Sequence, residues 1–138
     1  MIRPILAILA GIATLTAVSF GIEAVADPVL MKLFSAALPN RQAFSHNLPA
    51  SLFTLAYGTL SVAAGGYVTA WLSRRSPVRN AVIMGAVQTA LTVLAMMAMR
   101  DQAPIWDWLA SIAMSLPAAW LGGWLYARRP RRDLAVPQ

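Results

Sequence analysis

The chain contains no cysteine. That excludes disulfides, thiolate metal sites and cysteine nucleophiles. Its single histidine, His46, is too few for a multi-histidine metal site or for haem held between two histidines. Charge is scarce as well. Only 12% of the 138 residues are charged, against 59% hydrophobic, and mean hydropathy is +0.62. Globular domains average about 25% charged residues, and a small soluble protein has proportionally more surface to cover with them. A soluble globular domain is therefore excluded.

Four long uncharged runs are present instead, over residues 4–22, 50–73, 80–99 and 108–127. A membrane span needs about 20 predominantly apolar residues, and each run meets that length. Backbone groups in lipid must bond within their own segment, so these runs are expected to be helices. A transmembrane barrel would need alternating segments of about 10 residues, and none is visible. The expected fold is an all-α integral membrane protein. It is a single domain over residues 1–138, a four-helix transmembrane bundle ending in a basic tail at 128–138.

The basic residues set the expected orientation. Arg3, Arg74, Arg75, Arg79, Arg128, Arg129, Arg131 and Arg132 fall on one side of the spans, and Lys32, Arg41 and Arg100 on the other. The positive-inside rule then places both termini in the cytoplasm of a bacterial-type inner membrane. Trp106 and Trp108 at one interface, and Trp71, Trp124 and Tyr126 at the other, fit aromatic belts. The net charge of +6 is explained by this orientation. Nucleic acid is not an expected partner, since no recognition element remains outside the membrane. A rival reading takes the N-terminus as a signal peptide, with Ala24-Val25-Ala26 as its cleavage site. The apolar stretch is longer than the usual ~7–15 residues of such a segment, so retention is favoured.

Two connections are short and predict antiparallel neighbours. Ser76 is expected to cap the third helix, with Pro77 in its first turn. The first connection is long. Asp27-Pro28 reads as a cap followed by proline at the first helical position. Val29, Leu30, Leu33, Phe34, Ala37 and Leu38 then recur at the spacing of one helical face. A short amphipathic helix over residues 28–38 is expected, lying on the outer membrane surface or capping the bundle.

Small residues mark expected packing faces. Gly65, Gly66, Gly85, Gly122 and Gly123 each cost helix propensity, about 0.8–1.0 kcal/mol, and close helix contact is the expected return. The segment Gly65-Gly66-Tyr67-Val68-Thr69-Ala70 resembles Gly122-Gly123-Trp124-Leu125-Tyr126-Ala127, and both precede arginines. Two duplicated hairpins about an axis along the membrane normal would produce such a match. So would convergence, because inward-going helix ends favour these residues. Pro117 is expected to bend the fourth helix.

Chemistry-bearing residues are few. Gln88, with Thr89 and Thr92, lies well inside the third span, where an amide wants a partner across helices. Glu23, Asp27, His46, Asp101 and Asp107 could gather at the outer face as an acid–base or weak metal cluster. They could equally be a solvated rim. Counted along an ideal helix from Pro4, Glu23 falls at the outer interface, about 28 Å away. The chain resembles the small multidrug exporters in size and span count alone. That family carries a membrane-embedded glutamate in its first helix. Here Glu23 stands at the end of the first run and the first connection is far longer, so no activity is carried over.

No catalytic residue, cofactor or metal site is expected. The leading expectation is an accessory subunit that packs against other membrane subunits or itself, surrounded by lipid. A small oligomeric transporter or exporter is the alternative, and an outer-face enzyme the third reading.

Overall fold

A computed structural model of the chain describes residues 2–33, 46–73 and 76–129. These form four long helices: α1 (Ile2–Leu33), α2 (Leu48–Leu72), α3 (Pro77–Ala98) and α4 (Ile105–Ala127), with one 3-10 turn at Arg100–Gln102. All four are long and apolar enough to cross a membrane. α2 packs against the other three, α3 also lines α4, and α1 touches α3 but barely meets α4. The start of α1, the α2–α3 link and the end of α4 share one end of the bundle, here termed proximal. The end of α1, the start of α2 and the 3-10 turn form the distal end.

The first helix differs from its expected form. α1 runs for 32 residues without interruption and includes Pro28, so the segment from Pro28 to Leu33 is not a separate surface helix. Residues 34–38 of that expected element lie outside the described residues. Proline supplies a helical φ and removes one N–H, so it can be carried inside a helix when neighbours hold the chain. Packing provides that hold. Asp27 is buried, and Leu30 and Met31 pack on Ala50 of α2. Ala24, Val25 and Ala26 are interior to the same helix.

Capping follows ordinary rules at two starts. Asn47 precedes α2 in extended backbone, and its side-chain oxygen accepts from the Ala50 N–H at 3.3 Å. Ser76 and Pro77 take the expected positions at α3, although the serine side chain makes no capping bond. Asp107 lies in the first turn of α4, where a carboxylate complements the helix dipole.

The proximal half is packed backbone to backbone. A Cβ on Gly66 would stand 2.5 Å from the Ala119 carbonyl oxygen, and one on Gly122 would collide with the Ala63 carbonyl. At these points α2 and α4 therefore meet as parallel helices, main chain against main chain. A Cβ on Gly65 would stand 2.7 Å from the Gly11 carbonyl oxygen in α1, and Gly11 faces Thr69 in return. Gly85 and Gly123 seat the methyls of Ala119 and Ala81, each 2.6 Å from where a Cβ would be. Leu15, Val62, Met84, Ala118 and Ala119 form the core around these contacts. Outward positions such as Ile5, Phe20, Leu60, Leu94, Leu109 and Leu125 are exposed and apolar, as on helices that are hydrophobic all round.

The packing does not follow the sequence match between the two glycine pairs. Gly65 and Gly122 are counterparts in the match, yet Gly65 faces α1 while Gly122 faces α2. Gly66 faces α4, and its counterpart Gly123 faces α3. An axis relating the two hairpins would give counterparts the same role. α4 continues through Pro117, which is exposed.

Candidate functional site

Toward the distal end the helices part. The glycines there, Gly21 and Gly58, have nothing within 4 Å of a built Cβ, so they mediate no close approach. Between the helices lies a cavity of about 190 Å³. On the same measure a single water needs only ~10–15 Å³, so the space admits a small molecule. All four helices line it. α1 supplies Leu15, Ser19 and Glu23, and α3 supplies Gln88 and Thr92. Ser111, Met114 and Ser115 come from α4, and the remainder from α2 between Thr54 and Val62. Ten of the fifteen lining residues are polar, in a bundle whose exposed faces are apolar. Polar side chains from all four helices thus reach a cavity whose wall is otherwise apolar.

Helical periodicity explains how these side chains converge. Ser19 and Glu23 are four apart, as are Gln88 and Thr92, and Ser111 and Ser115. Such pairs lie one above the other on a helix face. On α2 the series Thr54, Tyr57 and Ser61 does the same. Tyr57 and Ser61 are buried, so this face is turned into the bundle.

Five of the lining hydroxyls bond back to their own helices. Thr54 donates to the Ala50 carbonyl at 3.1 Å, Thr59 to Leu55 at 2.7 Å and Ser61 to Tyr57 at 2.8 Å. Thr92 donates to Gln88 at 2.9 Å and Ser115 to Ser111 at 2.7 Å. Thr59, Ser61, Thr92 and Ser115 each spend the proton on the carbonyl four residues back, a bond open to serine and threonine in helices, while Thr54 divides its proton between the Ala50 carbonyl and the Tyr57 oxygen. At the distal side of the chamber the Tyr57 hydroxyl is in hydrogen-bond contact with the side chains of Glu23 and Thr54. Asp27 follows Glu23 by one turn on α1 and is buried beside α2.

The residues singled out from the sequence fall in three places. Gln88 and Thr92 line the chamber, while Thr89, which donates to the Gly85 carbonyl at 2.9 Å, does not. Gly65, Gly66, Gly85, Gly122 and Gly123 stand at the backbone contacts of the proximal half. The outer-face group is dispersed. Glu23 and Asp27 share one face of α1, His46 and Asp101 are exposed, and Asp107 is half-buried at the start of α4. Among the described residues no three histidines or acids gather as a metal ion would require.

Glu23 is not at a helix end. Ten residues of α1 follow it, about 15 Å of helix, and its partner Tyr57 lies nine residues into α2. Tyr57, Ser61 and Ser115 stand out in the sequence only as mild polar residues within spans, with no site role, and Gly11 does not stand out at all. The four-residue spacing of Tyr57 and Ser61, and of Ser111 and Ser115, was the available signal.

The fold and chamber define an all-helical membrane protein with a polar interior site. Compared with known proteins, the chain matches no family, no curated sequence and no solved structure.

Proposed function

We propose that this protein is a small transporter that carries a polar solute through the chamber between its four helices. The carrying observation is the chamber itself, to which every helix contributes polar side chains. A protein that only packs against a larger complex has no need of such a space, and buried polar surface is costly when it serves nothing.

The depth of Glu23 supports the reading. α2 has 25 residues, about 37 Å of helix, against a hydrocarbon thickness of about 30 Å. Centred on the bilayer, α2 places Tyr57 about 10 Å inside the hydrocarbon. Glu23 contacts Tyr57 and shares that depth. An ionisable residue within a membrane is a functional group by default, because its burial costs several kcal/mol. The accessory expectation rests on glycine-rich faces and minimal loops as well as on spans free of buried charge, and the length of α1 bears on the last of these.

By the arginine distribution, the protein sits in a bacterial-type inner membrane with both termini cytoplasmic. The chamber then occupies the outer half and the glycine contacts close the cytoplasmic half. Transport requires that closure to open in turn, as in alternating access.

The absence of native cysteine makes the test direct. Cysteine is placed at Ser61 or Ser115, on the floor of the chamber, and a membrane-impermeant thiol reagent is applied from each side. Labelling of both positions from both sides is expected. Labelling from one side alone, or from neither, overturns the proposal.

A further inference from the structure

We propose that the chamber's solute is an uncharged short-chain primary amide, held edge to edge by the side-chain amide of Gln88. The inference rests on reading the chamber as a transport site and names the chemical class of its cargo.

Three observations converge on that chemistry. The first is Gln88 itself. It stands midway along α3 (Pro77–Ala98) and lines the chamber. Transporters hold their substrates near the middle of the bilayer. A carboxamide at that depth is costly unless its hydrogen bonds are made, and such a residue ordinarily bonds across helices. Among the described residues the Gln88 side chain makes no such bond. The contact it receives from Thr92, at 2.9 Å, goes to its backbone carbonyl. The side-chain amide is left to the contents of the chamber.

The second is the mixture of groups around it. A carboxamide has one acceptor oxygen and two N–H donors, so its edge is complementary to that of another carboxamide, each oxygen accepting from the other's N–H. The solute's second N–H then needs an acceptor. Ser61, Thr92 and Ser115 supply one, because their protons are spent on their own helices and each hydroxyl keeps lone pairs. The hydroxyls of Ser19 and Ser111 also line the chamber and have no partner among the described residues, so they can donate to the solute's oxygen. Donors and acceptors are thus both offered. An anion would be opposed by the acceptors, and a cation by the Gln88 N–H groups. The lining carboxylate, Glu23, is engaged by the Tyr57 hydroxyl at the distal side, and the assignment does not call on it.

The third is the rest of the wall. Leu15, Leu55, Val62 and Met114 give it an apolar part, which suits an alkyl chain. The chamber's 190 Å³ falls short of the ~300–1,000 Å³ of drug-sized pockets, yet it far exceeds the space of one water. A solute of a few heavy atoms, with one amide edge and a short alkyl tail, matches volume and lining together.

The test measures binding of labelled propionamide to the full chain in mild detergent against three competitors of the same shape. Propionate offers acceptors alone, propionamidinium donors alone, and 2-butanone an acceptor with no N–H. Propionamide is expected to bind, and each competitor should displace it at least tenfold less well than unlabelled propionamide does. Gln88→Leu should weaken binding at least tenfold without lowering the melting temperature. Gln88→Glu, measured at alkaline pH to ionise the new carboxyl, should reverse the ranking so that propionamidinium displaces propionamide. A Gln88 that served packing alone would not move the ranking. Gly58→Leu should abolish binding by filling the space, since a Cβ there meets nothing. Equal or better competition by any of the three isosteres overturns the assignment. So does full affinity in Gln88→Leu or Gly58→Leu, or an unchanged ranking in Gln88→Glu. Absence of binding alongside two-sided labelling of Ser61→Cys defeats the amide and leaves transport standing. Gln88-dependent binding with one-sided labelling does the reverse.

Discussion

Gly66 of α2 lies directly against Ala119 of α4, with the Ala119 carbonyl oxygen 2.5 Å from the position a Cβ on Gly66 would take. At that point two helices share a boundary made of main chain alone. The contact holds α2 and α4 as a close parallel pair, and the flanking glycines bring α1 and α3 against it. One half of the bundle is thereby closed without large side chains. The other half, where Gly58 meets nothing, is left with room for a polar interior.

This asymmetry predicts opposite outcomes for chemically identical substitutions. Gly66→Ala and Gly122→Ala should destabilise the protein by about 1–3 kcal/mol, the usual cost of overpacking. Gly21→Ala and Gly58→Ala should be neutral or stabilising, by up to about 1 kcal/mol, because alanine favours helix and nothing obstructs it. Thermal melting in detergent measures all four. Equal melting shifts across the set would show that the close contacts carry no packing energy.

The continuous first helix makes Pro28 a defect rather than a start signal. Pro28→Ala should restore an N–H to the Ala24 carbonyl and raise the melting temperature, by an amount equivalent to about 1–3 kcal/mol. If Pro28 began a separate helix, the same change would leave melting unaltered. Its exposed position means that no packing is lost with the ring.

Arg129 lies 5.0 Å from the centre of the Tyr67 ring, and Tyr67 meets Tyr126 edge-on at 5.6 Å. Together they tie the end of α4 to α2. Arg129→Ala should cost about 0.5–1 kcal/mol, the range for an exposed cation–π contact, while Arg129→Lys should keep part of it. Melting of the purified protein resolves the pair.

Topology is open to direct measurement. Reporter fusions at residues 76 and 138 should report the cytoplasm, and one at residue 102 the opposite side. An extracytoplasmic signal at residue 76 would invert the bundle and move the chamber to the inner half.

Occlusion of the chamber separates cavity from scaffold. Gly58→Leu should cut labelling of Ser61→Cys by a membrane-impermeant thiol reagent at least tenfold, without lowering the melting temperature. Undiminished labelling would mean that Ser61 is reached by another route.

The four helices were legible because lipid makes one demand of a spanning segment, about 20 residues without charge, and that demand is local. The arginine asymmetry is equally local. The glycine pairs could be singled out because their propensity cost is a property of the residue. The depth of Glu23 was not readable, for a specific reason. Asp27-Pro28 is a sound start signal in isolation, and only the docking of Leu30 and Met31 on Ala50 carries the helix past it. With the helix ended at residue 22, Glu23 became an interface residue. With it continued to Leu33, the same carboxylate lies beside Tyr57 in the interior.

By itself the sequence determined that the chain is helical, that it has four segments fit to span a membrane, and where close packing was wanted. Each of these follows from composition within one segment. Tertiary structure alone decided which glycine faces which helix, that the two glycine pairs play different parts, and that Glu23 joins the hydroxyls of α2, α3 and α4 around one space. Those facts depend on the rotation and register of whole helices against one another. Rotation and register are set by the sum of many weak contacts across all four helices, and no single segment carries that sum.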